Sequence, residues 1–446
     1  MALPGSATRR PGIAVVSPVP RVIAAFVVLA LLASGCSGAG QAQGTPIDVV
    51  LVVIDSLRAD RATPISPAMS SLNDLARDAE VYERATAPGT WCAPALGSLF
   101  TGRWPSYHGA ERDPSHPDTT ARAIDPTAPT LAELLRGSGL RTAAFASRES
   151  AFAKLAGLER GFDHVAELPA GRDARAVAAA AIEWLARESG PVFAFVHLDD
   201  LRLDHAAEGV RNPADADAGG LQDRADLSIR FASDGGVTAA RRQGFEEDYR
   251  RRLEVVDGAV SGLMAALRRS GRYEQALLVV TADHGELLGE HSLAGHGWPP
   301  FEPIVHVPLL VKHPRNVRAG DVVGRRVSTL GVFATALDVA SIAPPARSQA
   351  RPLEDLHPVW VEDVDRRGHR ARAGYDGASA KMVFVNDGRR QVECLFDLDA
   401  DPSELRADCS PKSDLPLRVA VESFGASGRP AWPSARSEGN PPPVAP

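Results

Sequence analysis

The sequence has no excess of basic residues. Its 446 residues include 49 Lys and Arg against 56 Asp and Glu, which gives a formal net charge of −7. A protein that binds nucleic acid through the phosphate backbone carries a basic face or stripe. The charge balance therefore excludes nucleic acid as the expected partner. The chain also lacks internal repeats and has the composition of an ordinary globular protein, with 44% hydrophobic residues.

A long apolar run is also missing. The most apolar stretch, residues 22–32, is shorter than the roughly 20 residues that cross a bilayer. It follows three arginines and leads into three small residues directly before Cys36, an order typical of a bacterial lipoprotein signal. We predict such a signal peptide over residues 1–36 and a lipid on Cys36. The lipid would hold the exported protein on the outer side of the cytoplasmic membrane or in the periplasm. A plain signal peptide and a single membrane anchor are the alternatives.

Cysteine is scarce, with four in the whole chain. Cys394 and Cys409 lie close together near the C-terminus, and we expect them to pair in an oxidising compartment. With Cys36 used by the signal, Cys92 is then an unpaired thiol. An unpaired cysteine in an exported protein indicates a functional role, while the alternative is a buried, inert thiol.

The segment around Cys92 carries helix signals. Pro94 suits the first turn of a helix and Gly102 suits a left-handed end, so Cys92 is predicted at a helix N-terminus. Free N–H groups and the helix dipole favour an anion there, and they are expected to lower the pKa of the thiol.

Apolar runs alternate with helical patterns over most of the chain. Residues 47–54, 191–196, 276–282 and 307–311 are predicted to be buried strands, because near-continuous apolar runs are typical of sheets covered on both faces. Residues 245–269 have the periodicity of a long amphipathic helix. The alternation predicts an α/β fold with a doubly wound, mostly parallel sheet.

Composition also divides the chain into parts. We expect a linker over 37–46, an α/β catalytic domain over 47–345, a small C-terminal α+β subdomain over 346–410, and a disordered Pro- and Ser-rich tail over 411–446.

Polar residues follow two of the predicted strands. Asp55 comes directly after the first, and Asp283 and His284 come after the third. Because the carboxyl ends of parallel strands meet at one edge of a sheet, these side chains are expected to converge, with Cys92 beside them. Carboxylate oxygens and one imidazole suit a divalent cation. The alternative for each residue is a hydrogen-bonded polar group at a strand end.

Several motifs, taken together and in this order, closely resemble the sulfatase family of the alkaline phosphatase superfamily. They lie at residues 53–60 (VIDSLRAD), 91–94 (WCAP), 98–102 (SLFTG), 281–286 (TADHGE), 295–297 (GHG), 307–311 (VPLLV) and 395–402 (LFDLDADP). The resemblance implies an alkaline-phosphatase-like fold and a metal-dependent hydrolase of sulfate esters, acting on an anionic ester such as a sulfated or phosphorylated small molecule, glycan or lipid.

The resemblance also implies roles for residues. Asp55, Asp283 and His284 match the family's ligands for one divalent cation, for which calcium or manganese is expected. Cys92 matches the nucleophile, which sulfatases oxidise to formylglycine. His296 matches the position that contacts the ester or leaving group.

His197 is the other expected catalytic residue, at the start of a segment in which relatives have His-x-x-Asp-Pro-His. This chain has Arg202 at the last position of that segment, with His205 nearby as a replacement. Leu96 occupies the Arg position of the maturation signal Cys-x-Pro-x-Arg, which argues against formylglycine. Ser56 stands where many sulfatases have a second Asp.

These departures leave two alternatives to a sulfatase. One is a phosphoesterase or phosphoryl transferase of the same superfamily. The other is a member without turnover that binds an anionic glycan or lipid.

Overall fold

The computed structural model of the protein describes residues 47–62, 68–113, 121–169, 171, 173–202, 237–297, 299–356, 358–364, 370–377, 379–386 and 391–409. The predicted signal peptide with Cys36, the linker, the tail over 411–446 and His205 lie outside these residues. Among the helices of the described residues, none is both long and apolar enough to cross a membrane.

Strands and helices alternate through the described chain. The strands are β1 (Val49–Ile54), β2 (Glu80–Thr86), β3 (Arg141–Ser147), β4 (His164–Leu168), β5 (Val192–Leu198), β6 (Leu277–Thr281), β7 (Leu287–Leu288), β8 (Ala294–Gly295), β9 (His306–Lys312), β10 (Val322–Ser328), β11 (Trp360–Val364), β12 (Arg370–Tyr375), β13 (Ala380–Asn386) and β14 (Gln391–Asp397). The helices are α1 (Ala59–Ala62), α2 (Ser70–Ala76), α3 (Cys92–Thr101), α4 (Pro105–His108), α5 (Leu131–Gly137), α6 (Ala151–Lys154), α7 (Ala174–Arg187), α8 (Ala239–Arg269), α9 (Glu302–Val305) and α10 (Gly331–Val339).

Eight strands form one central sheet in the order β10-β2-β9-β6-β1-β5-β3-β4. β9 runs antiparallel to both of its neighbours, and the other pairs in the sheet are parallel. β1 and β6 are buried along their whole length, because helices cover both faces of the sheet. The predicted α/β fold with a mostly parallel sheet is confirmed.

A smaller antiparallel sheet, β11-β12-β13-β14, follows in the chain. It is the part predicted as a C-terminal subdomain, and its described residues contain strands rather than helices between 358 and 397. Its apolar face packs on the segment from Leu287 to Val305 and forms a second core. Cys394 and Cys409 form a disulfide beside it, as predicted.

Buried charges also join the two sheets. Nζ of Lys381, on β13, lies 3.1 Å from Oε1 of Glu302 and 2.7 Å from Oε1 of Glu404. Arg326, on β10, lies 3.3 Å from Oε2 of Glu302, and the Tyr375 hydroxyl donates to Oε1 of Glu302 at 2.8 Å. Because each buried charge has an opposite partner, the cluster fixes the small sheet against the large one.

Candidate active site

Asp55 is held rigidly where β1 ends. Its main-chain N–H donates to the Leu198 carbonyl at 2.8 Å, which ties it to the neighbouring strand β5. The Ser56 hydroxyl donates to Oδ1 of Asp55 at 2.9 Å, and Ser56 has a left-handed backbone, with φ of 64°. Such a conformation is strained for a residue other than glycine and occurs often at functional sites. The Tyr249 hydroxyl donates to the Ser56 carbonyl at 2.8 Å and stabilises this turn.

Asp283 and His284 follow β6 in the same way. The main-chain N–H of His284 donates to Oδ1 of Asp283 at 2.9 Å, and Nδ1 of His284 donates to the Gly285 carbonyl at 2.8 Å. The second bond fixes the ring so that Nε2 faces the site, a usual arrangement for metal-binding imidazoles. Gly285 is required there, because a Cβ atom would lie 2.2 Å from the Pro303 carbonyl oxygen.

Cys92 is the first residue of α3, as predicted, and Gly102 ends that helix in the left-handed conformation. Sγ of Cys92 lies 3.1 Å from Nε2 of His284 and 3.5 Å from Oδ2 of Asp55. The expected lowering of the thiol pKa is wrong. Burial raises the pKa of Cys92 well above its usual value, and the carboxylates of Asp55 and Asp283 raise it further.

Four side chains converge at the carboxyl edge of the sheet. The ligand atoms of Asp55, Cys92, Asp283 and His284 all lie within 4.8 Å of one another, and all four residues are buried. Oδ2 of Asp283 has no hydrogen-bond partner in the described part of the chain. A buried carboxylate oxygen without a donor is costly unless a cation satisfies it. The donor set therefore fits a divalent cation.

The charges of the cluster shift its pKa values in opposite directions. Burial, followed by the charge of Asp283, raises the pKa of Asp55. Burial acts to raise the pKa of Asp283 too, but the positive charges of His284 and His197 outweigh it and the pKa is lowered. Burial acts to lower the pKa of His284, yet the two carboxylates raise it. Asp55 and Asp283 can therefore both stay ionised in this buried site only when positive charge lies beside them.

His197 lies within β5 rather than after it, and is fully buried. Its Nε2 is 3.7 Å from Oδ2 of Asp283, too far for a hydrogen bond, and neither ring nitrogen has a hydrogen-bond partner among the residues described. The structure therefore places His197 against a candidate metal ligand, and its catalytic role stays a prediction.

His296 reaches the site from β8 and its following loop. Its ring centroid lies 4.2 Å from that of His284, and the two histidines and Cys92 have ligand atoms within 4.8 Å of one another. Burial lowers the pKa of His296. Nδ1 of His296 is 3.1 Å from Oε2 of Glu286, which is fully buried. Sequence reasoning assigned no role to Glu286, although it belongs to the 281–286 motif.

Arg202 adds a permanent positive charge to this edge of the sheet. Its guanidinium interacts electrostatically with Asp55, Cys92 and Glu286. Nη1 of Arg252, on α8, donates to the carbonyls of Asp200 at 3.1 Å and Arg202 at 3.4 Å, which holds the chain after β5 in place.

A mostly parallel sheet that gathers these groups at its carboxyl edge is the fold of the alkaline phosphatase superfamily. A family model described as Sulfatase matches residues 47–342. The chain belongs to the sulfatase family, as its motifs predict.

Individual relatives are distant. Arylsulfatase K of Bos taurus is 28% identical over 169 residues, which is 33% of this chain and 30% of that protein. The chain thus spans about a third of the length of the curated relatives it matches. A phosphonate monoester hydrolase of Agrobacterium radiobacter shares the fold with a TM-score of 0.66 at 17% identity, over 85% of this chain and 94% of that chain. A protein solved with its substrate D-glucosamine-2-N,6-O-disulfate has a TM-score of 0.65 at 15% identity, over 86% and 98%.

Proposed function

We propose that this protein is a metal-dependent hydrolase of sulfate esters. The observation that carries the proposal is the convergence of two carboxylates, an imidazole and a thiol within 4.8 Å at the carboxyl edge of the sheet. The family match over residues 47–342 supports sulfate ester chemistry. The sulfated glucosamine bound by one solved relative supports an anionic ester as substrate.

Each residue of the site has a separate task in this proposal. Asp55, Asp283 and His284 would hold the divalent cation, with calcium or manganese expected. When bound, the cation would stabilise negative charge on the ester oxygens. Cys92 lies at the nucleophile position, and Arg202 would bind a non-bridging oxygen of the ester. His296 would contact the ester or the leaving oxygen through Nε2, and Glu286 would orient its ring from Nδ1.

The chemical form of Cys92 is a separate question. Leu96 stands at the position where the maturation signal has Arg, and its side chain is fully buried. Because the signal is incomplete, oxidation of Cys92 to formylglycine is not expected. Mass spectrometry of the peptide that contains Cys92 distinguishes the thiol from the aldehyde.

Hydrolysis of phosphate esters is the second candidate. Two departures favour it: Ser56 removes a carboxylate from the family pattern, and Arg202 adds a charge that does not titrate. A more positive site suits a phosphate monoester, because that substrate carries more negative charge than a sulfate ester. Rates on matched aryl sulfate and aryl phosphate substrates separate the two candidates.

Metal content is the first test. The purified protein is expected to bind one equivalent of calcium or manganese, and Asp55→Asn to lose it, while Asp338→Asn, an exposed residue of α10, retains it. Metal binding with turnover of an aryl sulfate supports the sulfatase proposal. Metal binding without turnover of either ester favours the alternative that the protein binds an anionic glycan or lipid.

We also propose export with a lipid on Cys36. The Cys394–Cys409 disulfide supports this, since disulfides persist in oxidising compartments. Cys36→Ala is expected to move the protein from the membrane fraction to the soluble fraction. An unchanged membrane fraction would instead indicate a plain membrane anchor.

A further inference from the structure

The turn that carries Cys92 is held from the C-terminal sheet. Thr90 and Trp91 precede Cys92 and are buried. The Thr90 hydroxyl donates to Oδ2 of Asp363, a buried residue of β11, and Nε1 of Trp91 donates to Oδ1 at 3.0 Å. The main-chain N–H of Val364 donates to the same Oδ1 at 2.7 Å. One carboxylate from the second sheet therefore binds both residues directly before the nucleophile position.

Main-chain contacts reinforce this arrangement. The N–H of Glu362 donates to the Pro88 carbonyl at 3.0 Å, so β11 lies alongside the segment that leads to Cys92. On its other side this segment packs closely on α3: a Cβ atom added to Gly89 would lie only 2.7 Å from Cγ of Pro94. The turn is thus enclosed between β11 and the helix that starts at Cys92.

A cation completes the contact. The Arg112 guanidinium lies 4.4 Å from the centre of the Trp91 ring and interacts electrostatically with Asp363. Arg370, on β12, pairs with Glu111 at 3.2 Å and so holds the loop of Arg112 to the same sheet. Trp91 is therefore fixed both at its ring face and at its N–H.

We propose that Asp363 is a positioning residue that holds the Thr90–Trp91 turn and thereby fixes Cys92 against the metal-ligand cluster. The inference rests on the proposed function, because it assigns a task in the same site. It makes the C-terminal sheet part of the catalytic apparatus, although Asp363 itself does not reach the reacting atoms.

Steady-state kinetics on an aryl sulfate test this role. Asp363→Asn keeps the shape of the side chain but weakens its acceptors, and Asp363→Ala removes them. Both variants are expected to lower kcat about tenfold or more with KM changed less than about threefold, because a misplaced nucleophile affects attack more than substrate binding. Glu362→Gln is the matched control on the same strand, because the Glu362 side chain accepts from Ser106 N–H and Arg372 Nε, and the substitution leaves its main-chain bond to Pro88 in place. Equal losses of kcat in Glu362→Gln and Asp363→Asn would overturn the proposal.

Labelling of Cys92 gives a readout that does not need turnover. Iodoacetamide labelling of the full chain, resolved by peptide mass spectrometry, is expected to be faster at Cys92 in Asp363→Asn than in the parent and in Glu362→Gln. An aminooxy reagent replaces iodoacetamide if the peptide carries the aldehyde. A parent without any esterase activity would sink the hydrolase proposal, while labelling would still decide the role of Asp363. Unchanged labelling in Asp363→Asn would overturn that role.

A mutant cycle with Trp91→Phe separates positioning from general loosening. Trp91→Phe removes the indole donor and keeps an aromatic ring. If Asp363 acts through Trp91, the effect of Asp363→Asn on labelling is expected to shrink in the Trp91→Phe background. Fully additive effects would show that Asp363 does not act through this contact.

Discussion

Nε2 of His284 lies 3.1 Å from Sγ of Cys92, while Nδ1 of the same ring is bound to the Gly285 carbonyl. His284 therefore faces the thiol with the nitrogen that binds either a metal or a proton. The pair joins two parts of the proposed site, because His284 belongs to the candidate metal-binding cluster and Cys92, the proposed nucleophile, begins helix α3.

Replacement of Cys92 tests the proposed nucleophile separately from the proposed metal ligands. Cys92→Ala is expected to lower turnover of an aryl sulfate about 10³-fold or more, because no other group in the proposal supplies the nucleophile. Metal binding is expected to persist through Asp55, Asp283 and His284, and is measured on the same preparation. A Cys92→Ala protein with parental turnover would remove Cys92 from this role.

Removal of metal tests the proposed metal-binding cluster. Burial and the charge of Asp283 raise the pKa of Asp55, so the metal-free site contains two carboxylates that disfavour each other. A chelator is expected to lower the melting temperature. Added calcium or manganese at 100 times its Kd is expected to raise the free energy of unfolding of the metal-free protein by about 2.7 kcal/mol. Asp283→Asn serves as the control and should respond weakly to either treatment. A parent whose melting temperature ignores both treatments would contradict a metal site.

His108 makes stability depend on pH. It is buried under α3, with Nε2 3.0 Å from the Ser98 hydroxyl and 3.1 Å from the Pro94 carbonyl, and its Nδ1 accepts from Ala110 N–H. Burial lowers the pKa of His108 to about 4. The unfolded chain then binds more protons between about pH 4 and 6.5, so stability is complete above this window and falls by roughly 3 kcal/mol as pH decreases through it. His108→Gln is expected to flatten this part of the stability profile in chemical denaturation. An equally steep profile in His108→Gln would assign the loss to other groups.

The convergence of Asp55, Asp283 and His284 could be predicted from sequence for a simple reason. Each follows an apolar strand, and the ends of parallel strands meet at one edge of the sheet. The position of Cys92 at a helix N-terminus was equally local, because Pro94 and Gly102 mark the two ends of that helix. The raised pKa of the Cys92 thiol was not predicted, because its largest cause is complete burial, which the local helix signals do not show, and the charges of Asp55 and Asp283 add to it.

Other features failed to appear in the sequence for related reasons. β2 (Glu80–Thr86) lacks a strand pattern because Glu83 and Arg84 interrupt its apolar residues. The long helix α8 starts at Ala239, where Thr238 caps it by accepting from Arg241 N–H, and not at the predicted residue 245. The prediction missed its first turns because they are polar and lack the apolar periodicity of the rest of the helix. The contact of Asp363 with Trp91 joins residues 272 positions apart, and no local pattern encodes such a pairing.

Lys381 gives the sharpest test of how the two sheets are joined. It is fully buried between Glu302 and Glu404, and its removal would leave both carboxylates without this partner. Lys381→Met is expected to lower the free energy of unfolding, measured by chemical denaturation, by about 3–5 kcal/mol, because it leaves buried negative charge without a partner. The loss should shrink as the pH decreases, since burial already raises the pKa of Glu404 to about 7 and protonation removes the charge. Lys154→Met, at an exposed position of α6, is the matched control and should change stability little. A Lys381→Met protein as stable as the control would mean that the apolar contacts between the sheets, and not this cluster, hold them together.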